Sequence, residues 1–239
     1  MMKLRDWEDL PKSMQTKEVW KYYQVLSGKK KSIVAKRFFD VVLAIILLIV
    51  LCPVMLIISV MIVLDSKGGV FFHQIRITAY GKKFYIHKFR TMVKDTNKAE
   101  SQVATNNDTR ITRVGKILRR SRLDEIPQLI NVLNGDMSFV GTRPETIRYV
   151  KKYNREMLAT LLLPAGITSE ASICYKDEAK LLNAADNVDA VYLSKILPAK
   201  MEYNLESIRK FSFFGEIRTL LRTVYAVWGK EYQAKRYTR

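Results

Sequence analysis

At 239 residues with a formal net charge of +18, the chain is strongly basic for one folded domain, which calls for a polyanionic partner: nucleic acid, an anionic membrane surface or phosphorylated substrates. Its only cysteines are Cys52 and Cys174, so no disulfide framework follows, which fits a domain facing the reducing cytosol.

Residues 1–35 form a basic and aromatic extension with Trp7, Trp20, Tyr22 and Tyr23. Residues 13–23 read as a short helix that either lies at an interface or covers part of the domain. Residues 1–31 are also a candidate homodimer contact. Residues 41–64 are twenty-four consecutive residues without a charge, behind Lys29, Lys30, Lys31, Lys36 and Arg37 and ahead of Asp65 and Lys67. As a helix they reach about 36 Å, against a hydrocarbon core of ~30 Å. Few soluble helices lack a polar face over so many turns, so the chain reads as a membrane protein. The run begins about forty residues in and has no cleavage-like site, so a signal peptide is not expected.

Cys52 and Pro53 divide the run into two arms of eleven residues. Proline removes a helical hydrogen bond and bends the helix. On the pattern alone, a bent helix returning to the same face and an ordinary spanning helix are both open. Arg37 and Asp40, on one helical face at the mouth of the run, are candidate anchors that pair with each other or with lipid headgroups.

Residues 70–77 and 82–89 alternate around residues 78–81, predicting a β-hairpin. Residues 91–109 are polar, predicting a helix that runs into a loop at 105–108. Six of the thirteen residues in 110–122 are basic, and Val114, Ile117 and Leu118 give this stretch an apolar side, predicting a helix over 113–121. Pro127 suits the first turn of a helix over 128–133, which Asn134 and Gly135 terminate. Asp124 and Glu125 therefore precede a helix N-terminus, whose positive end favours their ionised forms. Residues 135–138, 141–145 and 164–166 read as turns. Residues 146–162, 177–183 and 192–208 read as helical, Pro198 interrupting or starting the last. In 211–228, Phe213, Ile217, Leu220, Val224 and Trp228 recur at helical spacing, with Arg218 and Arg222 on another face. Such a helix packs on the core or lies in the headgroup plane. The basic tail 230–239 suits contact with anionic lipid.

Asp124 and Glu125 follow a basic helix and have Arg143 in a glycine-flanked turn nearby. Carboxylates among arginines bind a metal that itself binds phosphate, or attack phosphorus directly, while guanidinium groups offset phosphoryl charge. Solvated salt bridges are the competing reading. His73 and His87 have no Cys/His cluster around them, which argues against a zinc site. There is no P-loop, dinucleotide fingerprint or nucleic-acid-binding motif, so a nucleic-acid partner is not expected.

Seven stretches then occur in order: Lys36-Arg37-Phe38-Phe39-Asp40; Gln74-Ile75-Arg76 with Gly81; Lys88-Phe89-Arg90-Thr91-Met92; Asp108-Thr109-Arg110-Ile111-Thr112-Arg113-Val114-Gly115; Leu123-Asp124-Glu125-Ile126-Pro127-Gln128; Gly135-Asp136-Met137-Ser138; and Gly141-Thr142-Arg143-Pro144. Over residues 36–203 the chain thereby resembles the bacterial sugar transferases, the monotopic phosphoglycosyl transferases that start glycan assembly on a polyprenol carrier.

The resemblance implies an α/β, mostly helical, monotopic protein of the bacterial inner membrane. Its parts would be the extension 1–35, a re-entrant membrane helix 36–66 broken at Cys52 and Pro53, a small cytoplasmic catalytic domain 67–210 with a short β-hairpin, and an amphipathic interface helix with a basic tail, 211–239. It implies transfer of a sugar 1-phosphate from a UDP-sugar to undecaprenyl phosphate with release of UMP, initiating exopolysaccharide, capsule, O-antigen or glycoprotein glycan synthesis. Asp124 would be the nucleophile and Glu125 the Mg2+ ligand, with or without Asp124. Arg90, Arg110, Arg113, Arg119 and Arg143 would contact the phosphates, and downstream glycosyltransferases would be partners. A catalytically inactive membrane scaffold is the alternative, against which the intact acids stand. Thr142, Glu145 and the Ser169-Glu170 pair depart from the family pattern and bear on which nucleotide sugar is accepted.

Overall fold

A computed structural model of the chain describes residues 3–93, 109–176, 178 and 187–227. Helix α1, Lys17–Ser27, starts where the Thr16 hydroxyl accepts from the Val19 amide, and buries Val19, Tyr22, Tyr23 and Leu26. These join Leu4, Leu10 and Met14 in one cluster with Ile33, Leu161, Leu162 and Ile208. Of the two expectations for this segment, packing on the domain is the one observed for Tyr22 and Tyr23. Trp20 stays exposed, stacked beside Tyr23.

Helix α2, Lys30–Asp65, is the apolar run with its basic collar. Ala44, Ile58 and Ile62 are buried against the domain, whereas Ile46, Ile49, Val50, Leu56, Ile57 and Leu64 face outward. Cys52 and Pro53 lie inside this helix rather than between two helices. Both of its ends are tied to the same domain. At the first, Lys36 Nζ donates to the Val140 carbonyl at 2.9 Å, and Asp40 accepts from Ser138 Oγ at 2.8 Å and from the Phe139 amide at 3.3 Å. Arg37 donates to the carbonyls of Val132 and Leu133. Arg37 and Asp40 thus anchor the helix to the domain, each through its own partners there. At the other end, the Arg90 guanidinium donates to the carbonyls of Ser66 and Lys67, both at 2.7 Å, capping the helix C-terminus. Gly68, at φ +128°, leaves room for that guanidinium: a Cβ there would come within 2.0 Å of Arg90 Nη1.

Strands β1, Phe71–Ile77, and β2, Lys83–Phe89, form the expected antiparallel hairpin, with Phe72 opposite Lys88 and Gln74 opposite Ile86. Helix α3, Arg113–Ser121, and helix α4, Gln128–Asn134, follow the predicted bounds closely. Two expectations are corrected. Residues 137 and 138 are not part of a turn but open strand β3, Met137–Val140, which pairs in parallel with β4, Ala165–Thr168. Gly141 and Gly166 allow their backbones to meet, since a Cβ on Gly166 would lie 2.2 Å from the Gly141 nitrogen. Residues 146–162 do not form one helix. A short helix, Ile147–Val150, gives way to a 3-10 helix, Met157–Leu162, because the Asn154 side chain accepts from the Met157 amide and starts a new turn.

A π-turn, Tyr192–Ile196, leads into helix Leu197–Arg209, with Pro198 in its first turn. The C-terminal helix, Phe213–Val227, docks by polar contacts. Lys36 Nζ lies 2.6 Å from Glu216 Oε2, and Glu170 accepts from Thr219 and Arg222. Its exposed residues include Phe214, Leu221, Val224 and Tyr225. Contact with the domain and an open apolar side therefore occur on the same helix. The helix over 177–183 apart from residue 178, most of residues 91–109, Trp228 and the tail 230–239 lie outside the described residues.

Candidate active site

Thr112 caps α3 by accepting from the Gly115 amide at 2.9 Å, and the helix ends at Arg122 in the left-handed region, φ 59°. A left-handed non-glycine residue is strained by roughly 1 kcal/mol or more. Here it turns the chain sharply into a 3-10 helix, Leu123–Glu125, so the two carboxylates leave the surface path of α3 and enter the domain. Asp124 is 9% exposed.

Two cations from other elements converge on Glu125. Its Oε1 accepts from Lys88 Nζ of β2 at 2.6 Å and from Arg143 Nη2, in the turn after β3, at 3.1 Å. Burial works against ionisation of Glu125, but Lys88 and Arg143 outweigh it and hold its carboxyl far below the ordinary range. Glu125 in turn pushes Arg143 upward, while burial pushes Lys88 downward against the pull of Glu125. Asp124 moves the other way: burial pushes its carboxyl up, Lys88 opposes and Glu125 adds to the rise. Among the described residues Asp124 accepts no hydrogen bond. Two adjacent acids thus have separate characters, one locked as an anion between two cations, the other buried with its lone pairs unused.

Of the five arginines expected to contact phosphate, only Arg143 reaches the carboxylates. Arg90 caps α2. Arg119 Nη1 lies 3.7 Å from Met92 Sδ. Arg113 is exposed on the first turn of α3. The carbonyl of Arg110 accepts from Val93, next to the Met92–Ile111 bridge. Lys88 was not singled out from the sequence, although a signal was present: in the alternation of β2 it shares a face with the buried Phe84 and Ile86. A lysine on the core face of a strand needs an anion, and Glu125 is that anion.

Two of the departures from the family pattern, Glu145 and Ser169, make side-chain contacts within the domain. Glu145 is buried and accepts from Tyr192 Oη at 2.5 Å, with Arg76 Nη1 at 4.0 Å. The Thr142 carbonyl accepts from Gly166. Ser169 caps helix Glu170–Cys174 by accepting from Ser172, and Glu170 holds the C-terminal helix. His73 and His87 bond to each other through Nδ1 at 2.9 Å on the hairpin, away from the acids.

A family model described as Bacterial sugar transferase matches residues 31–230. The chain is 40% identical over 205 residues to a UDP-glucose:undecaprenyl-phosphate glucose-1-phosphate transferase of Xanthomonas campestris pv. campestris, covering 83% of this chain and 40% of that relative. It is 33% identical over 195 residues to a UDP-N-acetylgalactosamine-undecaprenyl-phosphate N-acetylgalactosaminephosphotransferase of Aeromonas hydrophila, covering 80% and 43% respectively. A UDP-glucose:undecaprenyl-phosphate glucose-1-phosphate transferase of Caulobacter vibrioides is 33% identical over 192 residues, covering 79% of this chain and 68% of its own. The chain thus spans 40% and 43% of the length of the first two.

Proposed function

The chain belongs to the bacterial sugar transferase family, and from that premise we propose that it transfers a sugar 1-phosphate from a UDP-sugar to undecaprenyl phosphate, releasing UMP. The observation that carries this reading is the buried Asp124, which accepts no hydrogen bond among the described residues, beside a Glu125 fixed by Lys88 and Arg143. An Asp124 oxygen attacks the phosphorus that bears the sugar, the bond from that phosphorus to the bridging oxygen breaks, and UMP leaves. A phosphate oxygen of the polyprenyl carrier then attacks the same phosphorus and releases the Asp124 carboxylate. Lys88 and Arg143 keep Glu125 in place, and Arg143, about a third exposed, presents its remaining donors to phosphoryl oxygens.

Mg2+ suits this site in its donor chemistry. The ion is held by one or two carboxylates together with substrate phosphates and water. Asp124 and Glu125 supply that number, and no group of three or more acidic, histidine or cysteine side chains occurs among the described residues. When bound, it offsets charge on the diphosphate. Glu125 is the residue to hold it, with Asp124 adjacent.

We read α2 as re-entrant, both ends on the cytoplasmic face. The support is that Lys36, Arg37 and Asp40 at one end and Asp65 and Ser66 at the other are bonded to one domain. A crossing helix would separate its ends by about 30 Å of hydrocarbon. Pro53 supplies the bend, and the open apolar side of Phe213–Val227 lies in the headgroup plane. Single-cysteine probes at Lys31 and Lys67 are expected to label from the cytoplasmic side alike; opposite accessibility refutes the re-entrant reading.

Purified protein given a panel of UDP-sugars, Mg2+ and undecaprenyl phosphate is expected to release UMP and form a lipid-linked diphosphate sugar with at least one donor. No UMP from any of them sinks the proposal. The pH profile follows from the two acids. Protonated Asp124 is no nucleophile, and burial raises its pKa above the ordinary 3.8, so turnover is expected to fall as pH drops through that raised value. Glu125 stays ionised throughout and adds no second limb in that range. A profile flat down to pH 4 would contradict this assignment.

A further inference from the structure

The hairpin carries one more side chain to the place where this reaction needs one. Phe72 pairs with Lys88 across the strands, and directly opposed residues project from the same face with Cβ atoms about 4.5–5.5 Å apart. On the other face, Phe71 and Phe89 stack with ring centroids 5.6 Å apart, and Phe89 packs in one cluster with Ile58 and Ile62 of α2. Both faces of the hairpin pack on α2, one through Phe89 and the other through Phe84 and Ile86, which cluster with Ala44. At its open end the second face carries Phe72 beside the lysine that grips Glu125 at 2.6 Å.

Phe72 is nonetheless 47% exposed. It lies seven residues after Asp65, where α2 ends, and Leu64, the last apolar residue of that helix, is 82% exposed. Arg90, directly after β2, binds the strand end to the helix end through Ser66 and Lys67. An open phenyl ring thus stands seven residues past the end of α2 and opposite the lysine that holds Glu125.

We infer that Phe72 is a binding contact for the first isoprene units of the polyprenyl phosphate acceptor. This rests on the proposed reaction. The acceptor is an amphiphile whose phosphate must reach Asp124 while its tail remains in apolar surroundings. The segment of tail next to the phosphate is the part drawn out of the bilayer, and an apolar ring at that point covers it. The UDP-sugar has no such segment, so the contact belongs to the second half-reaction alone.

The two half-reactions separate the outcomes. The burst of UMP without acceptor reports formation of the Asp124 intermediate, and steady-state turnover against undecaprenyl phosphate, normalised to burst amplitude, reports the acceptor step. Phe72→Ala and Phe72→Gln are expected to keep the burst rate within about twofold and to raise KM for undecaprenyl phosphate roughly tenfold, with Phe72→Leu recovering most of the loss. Normalisation removes any fraction that fails to fold, and the glutamine and leucine variants hold the side-chain size near native. A normal burst with unchanged KM in the alanine and glutamine variants overturns the inference alone, as does a loss confined to the burst. A wild-type protein without a burst overturns the reaction and the inference with it.

Discussion

Asp124→Asn is expected to lower UMP release by on the order of 10^3-fold or more and to leave the protein at least as stable as the wild type. The rate loss follows from removing the attacking oxygen: a carboxamide cannot form the phosphosugar intermediate, and residual turnover would have to come from positioning alone. The stability effect has the opposite sign to that of an acid held as an anion by cations, such as Glu125. Burial raises the pKa of Asp124, and no hydrogen bond among the described residues stabilises its anion. A group whose folded pKa is raised favours the fold below its unfolded pKa and loses that contribution as pH rises through the folded one, so ionised Asp124 is a net cost at neutral pH. Neutral asparagine relieves it. The pair of measurements is the unmodified and mutant rates of UMP release, and thermal unfolding of both proteins in the same detergent. Undiminished release in Asp124→Asn would remove Asp124 as nucleophile. Glu125→Gln is a contrast, because it leaves Lys88 and Arg143 without the anion that they share, and stability falls with activity.

How far the sequence could be read depended on how local each signal was. The hairpin was legible because Phe84 and Ile86 alternate with exposed residues, and α3 because Val114, Ile117 and Leu118 recur at helical spacing. Asp124 and Glu125 were legible as a pair, from their position before Pro127 and α4. Their different characters were not, since these arise from Lys88, thirty-seven residues away from Glu125, and Arg143, eighteen away. Strands β3 and β4 escaped because all four residues of β3 are buried, which erases alternation, and their pairing in parallel requires a long connection. The separate partners of the arginines were not legible for a related reason. Charge density over residues 110–122 says that a helix is basic, not which way each guanidinium turns, and Arg90 and Arg37 use theirs on carbonyls at helix ends.

Lys36→Met is expected to destabilise the protein by up to roughly 3 kcal/mol, because among the described residues it removes the only cation within reach of the buried Asp40 and the half-buried Glu216. Lys36 Nζ lies 2.6 Å from Glu216 and 4.0 Å from Asp40, and is itself 3% exposed. Asp40 keeps Ser138 and the Phe139 amide, so most of the loss falls on Glu216. Burial already pushes the Glu216 carboxyl up, with Lys36 holding it down, and without Lys36 it rises further. The stability of the variant should therefore decline as pH increases through that raised value and recover on acidification, the reverse of the usual carboxylate behaviour. The second change Glu216→Leu should restore most of the loss by replacing an unpaired acid with an apolar side chain. Thermal unfolding across pH for the single and double variants tests this, and an unchanged melting temperature in Lys36→Met would show that the contact does not hold the C-terminal helix to α2. The coupling matters for function because the same few residues fix the mouth of the membrane helix, the end of β3 that leads to Arg143, and the helix whose apolar side lies open. Loosening Lys36 should let the lipid-facing elements move relative to the carboxylates, so the acceptor step should weaken before the donor step does.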